Sequence, residues 1–325
     1  MISDSRLTHL NEWINETLGI TSYSLTPVSG DASFRRYLRL VTDSETYIAV
    51  DAPPEKENNE AFVKVTHLLE AEGLPVPHLY YSSLDFGFFL ISDFGDDLFI
   101  NILNTKTVSS LYEKAFNALT IIQQIPAMSL PSYNQNLLLQ EMELFREWFL
   151  NKNLSITLTS TESNLISQVF AGLIDNALAQ PQVFVHRDYH SRNLMQLDGN
   201  HPGIIDYQDA VYGPVTYDLV SLLRDCYIEW PLAQVETWAL SYRIRLLNKN
   251  IIHAVDEQTF IKWFDLMGIQ RQLKAIGIFS RLNIRDKKPN YLKDIPRTLN
   301  YIKIIAPKYS ETQALANFIQ DQVSL

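Results

Sequence analysis

The chain holds a single cysteine, Cys226, in 325 residues, so neither an intrachain disulfide nor a thiolate zinc cage is open to it. Free cysteine is most often a small buried apolar residue, and Cys226 is read that way. Positive charge is also scarce: 27 Lys and Arg stand against 37 Asp and Glu, a net charge of −10. A broad nucleic-acid-binding face needs the opposite balance to neutralise phosphates, so nucleic acid is not expected as a partner. No run of about 18 apolar residues occurs, and Met1 to Asn15 is polar and acidic without a basic segment leading into an apolar one. Neither a membrane span nor a secretory signal is expected, and the chain reads as cytoplasmic. Glycine is limited to 11 residues, and there is no internal repeat or low-complexity tract. What is present is a sequence 46% hydrophobic, enough to bury a large core. Nothing in its patterning specifies an oligomeric state.

Periodicity divides the chain in two. Leu7, Leu10, Trp13, Ile14 and Leu18 recur at helical spacing behind Asp4 as a cap, with Gly19 as the stop. Three strands follow, expected at 22–28, 34–41 and 46–51 and joined as an antiparallel meander. A helix over 58–72, stopped by Gly73, leads to two further strands at 78–82 and 87–92. Beyond Gly95 helical patterns dominate, at 108–124, 136–150, 163–179, 217–228, 232–248, 256–280, 290–305 and 311–322. A strand and loop cluster at 183–206 interrupts them. The expected fold is α+β and two-lobed: a small antiparallel-sheet lobe over residues 1–95 and a larger helical lobe over 96–325.

The chemistry lies in that interruption. His186-Arg187-Asp188-Tyr189-His190-Ser191-Arg192-Asn193 follows the apolar strand Val183-Phe184-Val185, and Gly203-Ile204-Ile205 runs into Asp206. Asp188, Asn193 and Asp206 are thus five and thirteen residues apart. Phosphoryl transfer in kinase-like folds needs an aspartate near the acceptor hydroxyl, plus an amide and a carboxylate holding magnesium against the nucleotide phosphates. Asp188 is the candidate catalytic base, and Asn193 and Asp206 are the candidate magnesium ligands. A metal-hydrolase reading of His186, Asp188 and His190 needs further ligands, and the other histidines are scattered singly. His186 is instead expected to steady the loop, and His190 to lie near the phosphates or the acceptor. Asp218 is expected to bond the backbone amides of the catalytic loop.

Upstream, Ser29-Gly30-Asp31-Ala32-Ser33 lies between two expected strands, where Gly30 and backbone amides would approach ATP phosphates and Ser33 would donate a hydrogen bond. The third strand reads Ile48-Ala49-Val50-Asp51, with an acid where kinase-like folds carry the lysine of Val-Ala-Ile-Lys. A substitute cation is expected from Arg35, Arg36, Arg39 or Lys64, with Arg36 first, and magnesium carrying part of the load. Asp93-Phe94-Gly95 precedes the catalytic loop, so it is not the metal motif that it spells. Asp93 and Gly95 are read as a hinge whose backbone receives adenine. No long activation segment separates Asp206 from the next helix, which favours a small-molecule acceptor. Arg224, Asp225, Tyr227 and Trp230 are candidate acceptor contacts, and Glu141 and Glu143 are weaker ones whose default is a solvated helix face.

His186-x-Asp188-x-His190-x-x-Asn193, Ile205-Asp206 and Tyr217-Asp218-Leu219 resemble the central motifs of the aminoglycoside phosphotransferase family, the small-molecule branch of the protein-kinase-like fold. Within it, the stretches from Gly30 to Tyr37, Asp51 to Glu55 and Asp206 to Pro214 look like the bacterial anomeric kinases of N-acetylmuramate and N-acetylglucosamine, which also lack the third-strand lysine. The resemblance implies magnesium and ATP as cofactors and an amino sugar phosphorylated at its C1 hydroxyl, in a route that recycles cell-wall sugars. It also implies a lactyl carboxylate that wants a guanidinium, which makes Arg224 the first acceptor candidate. A kinase of another small hydroxyl compound, such as an aminoglycoside, is the alternative. The acid at Asp51 prompts a third reading, a nucleotide-binding module without catalysis.

Overall fold

The computed structural model describes residues 4–28 and 34–323. They form two units, Met1–Ile102 with Leu194–Asp209, and Leu103–Asn193 with Ala210–Leu325. The first unit's border therefore falls later than residue 95, and a segment that follows the catalytic loop in sequence returns to it.

In the first unit α1 (Ser5–Leu18) precedes β1 (Ser24–Pro27), β2 (Arg36–Val41), β3 (Thr46–Asp51), α2 (Asn59–Ala71), β4 (Leu79–Ser83), β5 (Phe88–Ser92) and α3 (Phe99–Ile102). The Asp4 side chain accepts the Leu7 N–H at 3.2 Å, and Gly19 closes α1 in the left-handed region at φ 66°. The strands make one antiparallel sheet in the order β1-β2-β3-β5-β4. Leu10 and Ile14 of α1 are fully buried against Leu38, Leu40, Ala49, Phe88 and Leu90 of the sheet. Burying each such side chain contributes about 1.5–3 kcal/mol, so a charged residue at Leu10 would detach the helix.

The second unit begins with α4 (Val108–Ile122) and α5 (Gln135–Leu144), which runs into a π-helical stretch, Phe145–Asn153. Then come α6 (Ser160–Leu178) and β6 (Gln182–Val185). The chain visits the first unit with the hairpin β7 (Leu194–Met195) and β8 (Gly203–Ile204), then resumes with β9 (Val211–Pro214), α7 (Tyr217–Leu223), α8 (Leu232–Asn248), α9 (Glu257–Asp286), α10 (Ile295–Ile305) and α11 (Gln313–Gln322).

Three elements depart from the periodicity. The stretch 211–214, whose Gly213-Pro214 reads as a turn, is a strand because β6 pairs with it, Val185 opposite Val211. The helix α7 stops at Leu223 because the Asp225 carboxylate accepts the Tyr227 N–H at 2.8 Å, a local turn that competes with helix. The helix expected to run on to residue 150 changes pitch where α9 crosses it. A Cβ on Gly277 of α9 would lie 2.4 Å from the Leu144 carbonyl carbon, so only glycine permits that approach.

Candidate active site

In the second unit β6 delivers the chain into the loop from His186 to Asn193. Arg187 sits in the left-handed region at φ 77°, a strained conformation for a side-chain-bearing residue. Buried Asp218, in the first turn of α7, holds it there: its oxygens accept the His186 N–H at 2.7 Å and the Arg187 N–H at 3.0 Å. Burial pushes the Asp218 carboxyl up to about 7, against the two amides that pull it down. Asp225 anchors the other end, accepting the Ser191 N–H at 2.9 Å and the Ser191 hydroxyl. Inside the loop the Asp188 N–H donates to His186 Nδ1 at 3.3 Å, and the Asn193 amide nitrogen donates to the Asp188 carbonyl at 3.0 Å.

These bonds use the backbone of Asp188 and leave its carboxylate alone. Among the described residues the half-buried Asp188 side chain accepts no hydrogen bond and enters no ion pair. Burial acts to raise its pKa, but the charges of Lys274, protonated His190, Arg271 and Arg187 outweigh it and hold the carboxyl well below the ordinary carboxylate range. Asp188 is an ionised oxygen pair without a partner.

The cations around it are organised by a buried cluster. Glu141 of α5 pairs with Arg187 and with Lys274 Nζ at 3.1 Å, accepts the Tyr133 hydroxyl, and receives Gln270 Nε2 at 3.3 Å. Lys274 also donates to the Tyr217 hydroxyl at 3.0 Å. Glu141 is therefore buried and charge-paired where a solvated helix face was expected, while Glu143 pairs with Arg146. Of the candidate acceptor contacts, Arg224 is buried against Asp265, whose other oxygen takes the Tyr309 hydroxyl at 2.7 Å. That pair pins α7 to α9 and leaves Arg224 no net charge for an acceptor. Asp225 Oδ2 is occupied by Ser191 of the loop and Oδ1 by the Tyr227 N–H. Trp230 donates its indole N–H to the Tyr112 hydroxyl at 2.8 Å and is buried, and the Tyr227 ring packs on His190 and Arg192.

In the first unit Asp206 also adopts a left-handed backbone, φ 64°. Its neighbours hold it there. Gly203 passes so close to Phe94 that a Cβ would lie 2.8 Å from the ring, and Ile204 N–H donates to the Pro75 carbonyl at 2.8 Å. Tyr207 stacks on Phe62 of α2 at 5.7 Å and bonds the Thr66 hydroxyl at 3.0 Å. Asp51, fully buried, stands opposite Arg36 in the sheet and grips two arginines: Arg6 Nε and Arg36 Nε each donate to it at 2.8 Å. Arg36 continues to Asp4. This chain of two cations and two anions is balanced, so Arg36 is not the spare cation expected to replace the strand lysine. Arg39 is likewise committed, to Asp93, Asp96 and the Gly95 carbonyl, and it fixes the turn in which Gly95 has φ 80°. Gly30 and Ser33 lie outside the described residues.

Residues 24–250 match the phosphotransferase enzyme family. The chain belongs to this family. Over 98% of its length it is 41% identical to the N-acetylmuramate/N-acetylglucosamine kinase of Pseudomonas putida, 97% of which is covered. Over 94% it is 37% identical to the enzyme of that name from Neisseria meningitidis serogroup B, 92% of which is covered. Solved structures support the kinase-like α+β fold. A choline kinase from Streptococcus pneumoniae aligns with TM-score 0.64 at 14% identity, covering 90% of this chain and 98% of that one. The GDP complex of aminoglycoside 2′-phosphotransferase-IIIa aligns with TM-score 0.64 at 16% identity and the same coverage.

The magnesium that phosphoryl transfer would use takes oxygen donors and keeps several of its waters. Among the described residues no group of three or more His, Cys, Asp or Glu side chains is placed to hold a metal, so the chain offers no all-protein cage of those ligands. Asn193, in the second unit, and Asp206, in the first, each carry an oxygen of the kind that such a cation takes. The Asn193 side-chain nitrogen donates to the Asp188 carbonyl, and Gln208 Nε2 donates to Asp206 Oδ1 at 2.7 Å. The residues that sequence reasoning passed over are Lys274 and Arg271. Their signal was there: Gln270-Arg271-Gln272 and Lys274 form a polar stretch in the middle of a long apolar helix, and all four are buried.

Proposed function

We propose that this phosphotransferase moves the γ-phosphoryl group of ATP to the anomeric hydroxyl of N-acetylmuramate or N-acetylglucosamine. The observation that carries the reading is the Asp188 carboxylate, ionised and unpartnered on a loop strapped down by Asp218 and Asp225. The two relatives over nearly the full chain support the choice of acceptor. Magnesium, held by Asn193 and Asp206, would supply charge to the phosphates, a role that matters more here because the Asp51 cluster has no cation to spare. The Gly95 N–H and carbonyl are taken by Asp93 and Arg39, so of the two expected hinge residues the backbone of Asp93 would receive adenine.

With so low a pKa Asp188 is a weak base, so its first task is to orient the sugar hydroxyl by accepting its hydrogen bond. The hydroxyl oxygen bonds to the γ-phosphorus as the bond to ADP breaks. The proton, made acidic by that transfer, then passes to Asp188. The test is incubation with magnesium-ATP and a sugar panel that includes an aminoglycoside, with the product read by phosphorus NMR. A C1 phosphate on either amino sugar is expected. A C6 phosphate, or turnover of the aminoglycoside alone, would overturn the reading.

A further inference from the structure

Arg271 is 5% exposed, and its polar contact is the approach of Nη1 to Cys226 Sγ at 3.7 Å. Burial pushes the Cys226 thiol up, so that partner is neutral. Among the described residues no carboxylate lies within ion-pair distance of this guanidinium, whereas Arg187 and Arg224 of the same unit each hold one. Asp188 and Asp225 act on Arg271 only from a distance, and a buried charge that no carboxylate touches is costly and marks a place where something else is meant to bind.

A second cation meets the same turn, at Tyr227. The half-buried Arg192 lies 3.6 Å from the centre of the Tyr227 ring and also has no ion pair among the described residues. The same ring meets the edge of His190 at 5.3 Å, and His190 Nδ1 is buried without a hydrogen-bond partner. His190 in turn donates its N–H to the Asp188 carbonyl at 3.0 Å. Two guanidiniums that no carboxylate contacts among the described residues, and an unpartnered imidazole nitrogen, thus lie about the turn from Asp225 to Tyr227, next to the loop that carries Asp188.

We infer that Arg271, assisted by Arg192, receives the carboxylate of an acidic sugar acceptor, the lactyl group of N-acetylmuramate, and so sets the preference for it over N-acetylglucosamine. A carboxylate matches the guanidinium fork in two hydrogen bonds and cancels its charge, whereas a sugar hydroxyl only satisfies a donor. The inference rests on the acceptor reading above, and the experiment separates the two. The quantity measured is the ratio of kcat/KM for N-acetylmuramate to that for N-acetylglucosamine at saturating magnesium-ATP. Any effect of Arg271 on Asp188 acts on both sugars and cancels in this ratio.

Arg271→Gln should lower the ratio about tenfold or more, chiefly through the KM for N-acetylmuramate, and Arg271→Lys should recover part of it. An unchanged ratio overturns the inference, because it assigns Arg271 to the phosphoryl group or to folding. If Arg271→Gln is inactive with both sugars, Arg192→Gln decides: a ratio lowered about threefold or more sustains the inference, and an unchanged one overturns it. Wild-type protein that phosphorylates neither sugar would sink the acceptor reading before any variant is made.

Discussion

Asp51, at the end of β3, has no exposed surface and takes one arginine fork on each oxygen, Arg6 on Oδ1 and Arg36 on Oδ2. Asp188 is half-buried and, among the described residues, accepts no hydrogen bond at either oxygen, although Lys274, Arg271 and Arg187 stand near enough to keep it ionised. Both aspartates sit among cations, but only the first touches them. Contact closes a cluster and stabilises a fold, whereas charge held at a distance keeps a carboxylate ionised and open to a substrate. The acid that looks like a defect in the third strand is the structural one of the pair.

Breaking the closed cluster should have the largest effect on folding. Asp51→Asn is expected to lower stability by roughly 3 kcal/mol in denaturant unfolding, the low end for a broken buried pair, because the Arg6 and Arg36 side chains are 30% and 39% exposed and can rehydrate. On the other side, Gly277→Ala should cost about 2 kcal/mol by forcing α9 away from α5, and it should loosen the contact of Glu141 with Lys274. A smaller loss of turnover than of stability would fit that loosening badly, so the two are to be measured together.

The parts of this comparison differ in how they were written into the sequence. The loop from His186 to Asn193 and its anchor Asp218 were legible because a short loop after a buried strand keeps its spacing local, and the sheet was legible because alternation exposes it. Glu141 and Lys274 were not, since they lie on α5 and α9 and meet where Gly277 lets those helices touch, and Arg271 is buried on the same α9. A helix packed on several sides hides its polar residues among apolar ones, and periodicity then carries no sign of which way they point. Arg224 misled for the same reason: its partner Asp265 lies 41 residues away. The return of the segment ending in Asp206 to the first unit also has no local signal, because long-range pairing to Pro75 and Asp97 decides it.

Two smaller effects sharpen the contrast. The Asp218 carboxyl, at about 7 in the folded protein against an ordinary 3.8, binds its proton more tightly when folded. Its contribution to stability is complete below about pH 3.8 and is lost as pH rises through about 7. Asp218→Asn should therefore gain roughly 2 kcal/mol relative to wild type between pH 5 and pH 7, read from melting curves at each pH. Lys274→Met removes one of the charges that hold Asp188 down. The acid limb of the kcat/KM profile should move upward by about one pH unit, with no comparable shift in Asp51→Asn.

The direct measurement is the turnover of Asp188→Asn beside its melting temperature and its nucleotide affinity. Turnover should fall about a thousandfold or more while nucleotide affinity stays near wild type and the melting temperature drops only modestly, since among the described residues the carboxylate accepts no hydrogen bond and loses only its attraction to cations held at a distance. Wild-type turnover, or a loss of stability like that of Asp51→Asn, would contradict the account.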